Sequence, residues 1–369
     1  MTVSASHAMS ALRHLAGVLQ RQLLWIMIGA YLLAGLMPGP GEMLRAVPLA
    51  RVGTTAFPFQ AGLLAVVVFN AGLTARAEQL PQLLRRPGPL ALGVAINALL
   101  PTVLLALASV GAEGWHSPRE AQSLLAGLAL VGAMPVAAGA TVFAQGSEGS
   151  ATLSLGLVLG STLLSPLTIP FSLRLGALLT AGSYATELNA AARSAGGVFA
   201  VLVVVLPCLL GLLTGRLLHR YGDLLTPVLP LVRLINLVSV VTLSYTNACG
   251  ALQQVISKPD PDFLLLVVLA AALMCTLSFF FGWVIAGRLN CARADAVAVT
   301  YASGMNNSSA GAVLAATRMP DHPAVLLPIL AYSLLQKVLA GSVNRVLPTD
   351  RVAEPESGPS EGPTAVGGS

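Results

Sequence analysis

The sequence predicts an all-α membrane protein. Ten transmembrane helices form two inverted five-helix repeats, with helices 4 and 9 broken and crossing near the bilayer midplane. Three observations predict this. Charged residues are 9% of the 369, against about 25% in an ordinary soluble domain, while 55% are hydrophobic and mean hydropathy is +0.79. The charges fall between ten long apolar stretches. Those stretches recur in the second half of the chain at a nearly constant offset. So few charges could not cover soluble surfaces, which excludes a soluble enzyme. The net charge of +5 is scattered rather than massed in one patch, so the partner is a lipid bilayer and not a nucleic acid.

The charge-free stretches are 22–41, 52–75, 87–112, 121–147, 149–173, 194–215, 234–257, 263–287 and 296–317, and a tenth, 322–344, is interrupted only by Lys337. A helix needs roughly 20 apolar residues to cross the hydrocarbon core, so each stretch suffices for one crossing and none for two. A transmembrane barrel would alternate in short tracts, and runs such as Leu264-Leu265-Leu266-Val267-Val268-Leu269 do not alternate. With the N-terminus inside, twelve Arg fall on the cytoplasmic side and seven Lys or Arg outside, so both termini are expected in the cytoplasm. Residues 22–38 are long enough to span and are capped by Arg21, which distinguishes them from a cleavable signal peptide. The expected organisation is a cytoplasmic N-terminal segment 1–21, a first repeat 22–180, a second repeat 190–347, and a tail 348–369. The tail is rich in Pro, Gly, Ser and Glu and is expected to be disordered.

The stretch starts in the two halves pair as 22 and 194, 52 and 234, 87 and 263, 121 and 296, 149 and 322. Because each half has an odd number of spans, the second copy enters the membrane from the opposite side, an architecture used by secondary transporters. Such repeats place their binding site where corresponding helices break. The fourth stretch carries Gly132, Pro135 and Gly139 at its centre, and the ninth carries Gly304, Asn306, Asn307, Ser308, Ser309 and Gly311. Proline removes a backbone donor and glycine tolerates dihedrals a helix forbids. Breaking a helix in lipid is costly unless the freed groups face protein or a watery cavity. Small residues also mediate helix packing, which accounts for the Gly and Ala but not for Asn-Asn-Ser-Ser. In the seventh stretch Thr242, Ser244, Tyr245, Thr246 and Asn247 either line a cavity or bond back to their own helix. Cys208, Cys249, Cys275 and Cys291 form no Cys-x-x-Cys pair and the five His form no cluster, so neither a disulfide nor a metal site is expected.

These residues resemble the bile acid:sodium symporter family. Gly132-Ala-Met-Pro135, Gly149-Ser-Ala-Thr-Leu-Ser154 and Gly160-Ser161-Thr162-Leu163-Leu164-Ser165-Pro166-Leu167 are similar to its fourth and fifth helices. Gly304-Met305-Asn306-Asn307-Ser308 is similar to its Gly-Met-Gln-Asn-Ser run, and Gly72-Leu73-Thr74 with Arg85-Arg86-Pro87 and Gly93 to the stretch around its second loop. The resemblance implies a core of helices three, four, five, eight, nine and ten and a panel of one, two, six and seven. It further implies alternating access between them, a small organic anion as substrate, and a multi-pass position in the bacterial inner membrane. The implied substrate residues are Asn306, Asn307, Ser308, Thr141, Gln336 and Lys337. The implied ion ligands are Asn97, Thr141, Ser154 and Asn306. No cofactor is expected beyond sodium.

The sodium site is degraded. The family's Glu two residues before Gly-Met-Gln-Asn-Ser is here Ala302, its fourth-helix Asn aligns with Thr141, and a fifth-helix Thr aligns with Val158. No Asp or Glu falls in any of the ten stretches, which weakens any site for a hard cation and excludes a carboxylate proton relay. Lys337 aligns with part of a family His-Asn pair. It either snorkels to the interface or supplies the charge that sodium supplies elsewhere. Arg174 and Arg233 read as interface anchors. An arsenite-permease-like exporter shares the ten-helix plan but relies on a Cys in its fourth helix, and a transport-inactive sensor or scaffold would fit the lost ligands. An intramembrane enzyme would need a nucleophile and base within reach, which the spans do not offer.

Overall fold

The computed structural model describes residues 14–19, 22–52, 55–75, 87–221 and 225–346, and these are almost entirely helical. Most of the N-terminal segment 1–21, the tail 348–369, and Arg85 and Arg86 of the second-loop motif lie outside the described residues.

The first apolar stretch is not one rod. Helix α1 (Leu23–Leu36) ends at a 91° bend, and α2 (Pro38–Ala46) follows. Pro38 disfavours helical geometry at the residue before it, and Met37 accordingly sits at φ −133°, ψ 70°. The second stretch also starts differently from the sequence expectation. Strands β1 (Pro48–Val52) and β2 (Thr55–Pro58) pair antiparallel, and α3 (Phe59–Leu73) begins only after Pro58. Helix α4 (Pro87–Ala112) coincides with the third stretch.

The fourth stretch is α5 (Pro118–Gly132) and α6 (Gly139–Gly146), separated by Ala133–Ala138, and the fifth is α7 (Ala151–Leu178). A connecting helix α8 (Gly182–Ser194) leads through a π-helical segment (Ala195–Val205) into α9 (Leu206–Arg220). Then come α10 (Leu225–Ser257) and α11 (Pro261–Arg288). The ninth stretch is α12 (Arg293–Gly304) and α13 (Ser308–Arg318), separated by Met305–Asn307. A 3₁₀ turn (Pro323–Val325) opens α14 (Leu326–Val346). Six described helices are long and apolar enough to cross a bilayer, or seven with the bent α1–α2 pair. The other three predicted stretches hold the 15-residue α3 and the two interrupted pairs, so no single helix in them reaches that length.

Burial is arranged for lipid. On α4 the apolar Leu99, Val103, Leu107 and Val110 are exposed, while Gly93, Asn97 and Pro101 are buried. With no water to flee, small and polar residues mediate contact and aliphatic ones face the hydrocarbon. Two packing groups result. Helix α9 lies on α3, and α10 lies on α1, α2 and α3; α4 to α7 pack with α11 to α14. Helices α3 and α10 meet α13, and α1 and α10 meet α14, across the seam.

The order long helix, interrupted pair, long helix occurs twice. It starts at Pro87, Pro118 and Ala151, and again at Pro261, Arg293 and Pro323. At one end of the bundle His116 Nε2 lies 3.5 Å from Asp262, and His322 Nε2 lies 3.4 Å from Glu187. At the other end Arg293 Nη1 lies 3.2 Å from Glu148, and the Ser150 N–H donates to the Ala294 carbonyl at 2.8 Å. The α5–α6 pair therefore runs from the first end to the second, and α12–α13 runs back.

Candidate functional site

The two interruptions meet. Val136 and Asn306 form an isolated antiparallel bridge, in which the Ala137 N–H donates to the Met305 carbonyl at 2.8 Å and the Asn307 N–H to the Pro135 carbonyl at 2.9 Å. Each break thus satisfies backbone groups of the other, which is how irregular backbone survives at membrane depth. Helix α5 packs on α13 and α6 on α12, so the pairs cross at the bridge.

Side chains complete the junction. Asn306 is fully buried; its Oδ1 accepts from Asn97 Nδ2 at 2.9 Å and its Nδ2 donates to the Val131 carbonyl at 3.2 Å. Gln336 Oε1 accepts from the Asn306 N–H at 3.0 Å, and Gln336 Nε2 donates to Ser308 Oγ at 2.8 Å. Asn307 caps α13, its Oδ1 accepting from the Ala310 N–H at 3.2 Å. Three partners were not singled out by sequence. Ser161 Oγ accepts from the Val136 N–H at 3.0 Å, while the Tyr332 hydroxyl (3.1 Å) and Cys275 Sγ (3.6 Å) donate to the Gly304 carbonyl. Ser161 lay in a quoted motif, but a lone hydroxyl in an apolar run gives no sign of whether it reaches a neighbour or its own helix.

Of the predicted site residues, Asn97, Asn306, Asn307, Ser308 and Gln336 share this junction. Thr141, half-buried on α6, and Ser154, whose Oγ donates to the Ala151 carbonyl at 3.1 Å, are not hydrogen-bonded to it. Ala302, where the resemblance has Glu, is buried. Lys337 does not extend toward Arg345 as snorkelling requires. Its Nζ folds back one helical turn and donates to the Ser333 carbonyl at 2.8 Å, while Ser333 Oγ lies 2.6 Å from the Tyr31 hydroxyl of α1. In the seventh-stretch cluster Ser244 and Thr246 bond back to the carbonyls of Val240 and Thr242, both at 2.9 Å. Asn247 Oδ1 and Asn70 Nδ2, on α10 and α3, are buried and have no hydrogen-bond partner among the described residues.

Two proteins of Bacillus subtilis (strain 168) are similar to the chain. The uncharacterized sodium-dependent transporter YocS is 25% identical over 299 residues, covering 80% of this chain and 84% of that protein. The uncharacterized protein YbaS is 26% identical over 281 residues, covering 75% of this chain and 85% of that protein. The model of the sodium bile acid symporter family matches residues 61–255, more than half of the sequence. With its apolar helices and paired, mutually bonded interruptions, the chain is an integral multi-pass membrane transporter that belongs to the sodium bile acid symporter family.

Proposed function

We propose that the protein moves a small organic anion across the bacterial inner membrane by alternating access. It does so at the α5–α6/α12–α13 crossing, with ten spans in two inverted halves and both termini in the cytoplasm. The single observation that carries this reading is the bridge between Val136 and Asn306, because two helices interrupted at the same depth cost stability that packing alone does not return. The opposite directions of the two interrupted pairs support the inversion. The mobile unit is α4–α7 with α11–α14, sliding against α1, α3, α9 and α10.

Sodium drives this transport weakly or not at all. A tight sodium site in a dry span calls for oxygen ligands with ionised charge among them. Here the acidic position is Ala302, the Asn306 amide oxygen is engaged by Asn97 Nδ2, and Ser154 donates to its own helix. The residues present do not fit the ion, and no transport step is assigned to it.

The test is uptake of organic anions into proteoliposomes with an imposed sodium gradient and with choline in its place. Uptake in choline within about twofold of that in sodium is expected, well under the tenfold that corresponds to about 1.4 kcal/mol of coupling. Strong sodium stimulation would overturn the weak-coupling reading. Replacing both Asn306 and Asn307 by Ala should abolish uptake while the protein still inserts and purifies; normal uptake by that variant would overturn the site.

A further inference from the structure

Lys337 is the one Lys or Arg inside the ten apolar stretches, and no acidic residue lies inside them. Among the described residues no carboxylate pairs with it. An ammonium has three donors, and one is spent, on the Ser333 carbonyl at 2.8 Å. The bond holds the charge one turn inward from the position a snorkelling chain would take, on the seam where α14 meets α1. Tyr31 of α1 and Ser333 of α14 join hydroxyls across that seam at 2.6 Å, and Ser333 Oγ also donates to the Leu330 carbonyl at 3.0 Å, so Tyr31 is the donor to Ser333. Two ammonium hydrogens then remain to serve a guest. The neighbouring crossing offers no comparable charge: Asn306, Ser308 and Gln336 are neutral and bonded to one another.

A half-buried cation in a span with no carboxylate partner is costly, and the cost falls when a counter-charge arrives. Resting on the reading that the protein transports an organic anion, we infer that it is a one-for-one exchanger of monoanions, with Lys337 as the fixed counter-charge. The carboxylate of the cargo docks on the Lys337 ammonium. The loaded carrier is then locally neutral and slides; the empty carrier, left with a bare ammonium on the sliding seam, does not. Return therefore requires a second anion. No bond is made or broken and no ion gradient is consumed.

The experiment uses the full chain in proteoliposomes loaded with labelled pyruvate, with labelled benzoate as a second, bulkier monocarboxylate, in choline salts. Efflux into a bath without carboxylate should be slow, and external unlabelled pyruvate or benzoate should accelerate it about tenfold, the ratio that corresponds to about 1.4 kcal/mol between loaded and empty barriers. Lys337→Met removes the charge and is expected to fold; it should lose the acceleration. Lys337→Arg should retain it, and so should Tyr31→Phe, which removes only the bond to Ser333. Four outcomes would overturn the proposal. One is efflux of both probes that external carboxylate does not accelerate, and a second is acceleration preserved in Lys337→Met. A third is net efflux driven by a proton gradient with no external anion, which would mean that the ammonium sheds its proton and the empty carrier moves. The fourth is that neither probe leaves the vesicles by way of the protein. If Lys337→Met behaves as the wild type while the Asn306/Asn307 double variant still loses uptake, the exchange mechanism fails and the transport site stands.

Discussion

Asn306 carries one acceptor oxygen and one amide nitrogen on its side chain, and both are engaged, by Asn97 and by Val131. Its backbone N–H depends on Gln336, which also serves Ser308. Replacing Gln336 by Leu keeps the volume but strands the buried Asn306 N–H, worth about 1–3 kcal/mol, and takes a donor from Ser308 Oγ. A clear fall in the thermal unfolding midpoint of the purified protein is therefore expected, and an unchanged midpoint would mean that the junction tolerates unpaired groups. The polar run around Asn306 was legible because asparagine stands out against an apolar background. Ser161, Tyr332 and Cys275 were not, since each does its bonding through a hydroxyl or thiol whose direction depends on helix rotation. The direction of Lys337 was open for the same reason. Sequence placed it in the tenth span, and only the fold decides whether four methylenes run inward or outward.

Among the elements, the interruptions of the fourth and ninth stretches were readable from Pro135 and from the glycines around both breaks. The bend at Met37 and the hairpin at Pro48–Pro58 were written in the same alphabet, in Pro38, Pro40, Pro48 and Pro58, yet counting apolar residues passed over them. Charge-free length measures what lipid tolerates, not where a backbone can stay helical. Close helix contact was also hidden. Helices α3 and α9 touch through glycine: a Cβ on Gly211 would lie 2.0 Å from the Phe69 carbonyl oxygen, one on Gly215 2.4 Å from that of Leu73, and one on Gly72 2.2 Å from that of Cys208. Small residues let backbones approach in this way. Gly211→Leu should push the pair apart at a cost of about 1–3 kcal/mol or more, seen as a lowered unfolding midpoint. Gly29→Leu, on an exposed face of α1 with no neighbouring atom within 4 Å, should leave the midpoint unchanged.

At the level of the whole molecule, an all-α membrane protein with several apolar spans was accessible because hydropathy and charge are one-dimensional signals. The division into two packing groups was not, since it depends on which faces meet. Tyr31 and Ser333 join hydroxyls across the seam between the groups. A seam of that kind can shift while the blocks on either side keep their shape, and the proposed cycle requires such a shift.

The bridge at Val136 and Asn306 has a further consequence for biogenesis. Neither half of the polypeptide can finish its own interruption, because the complementary peptide groups belong to the other half. A truncated gene product ending in the 182–194 connector would carry raw amide and carbonyl ends in hydrocarbon and should be cleared by membrane proteases. Supplying the missing half from a second plasmid should rescue its abundance, measured by immunoblot of the membrane fraction. Full stability of the lone fragment would show that the halves mature independently. The ribosome must therefore deliver nearly all of the chain before its middle can become dry.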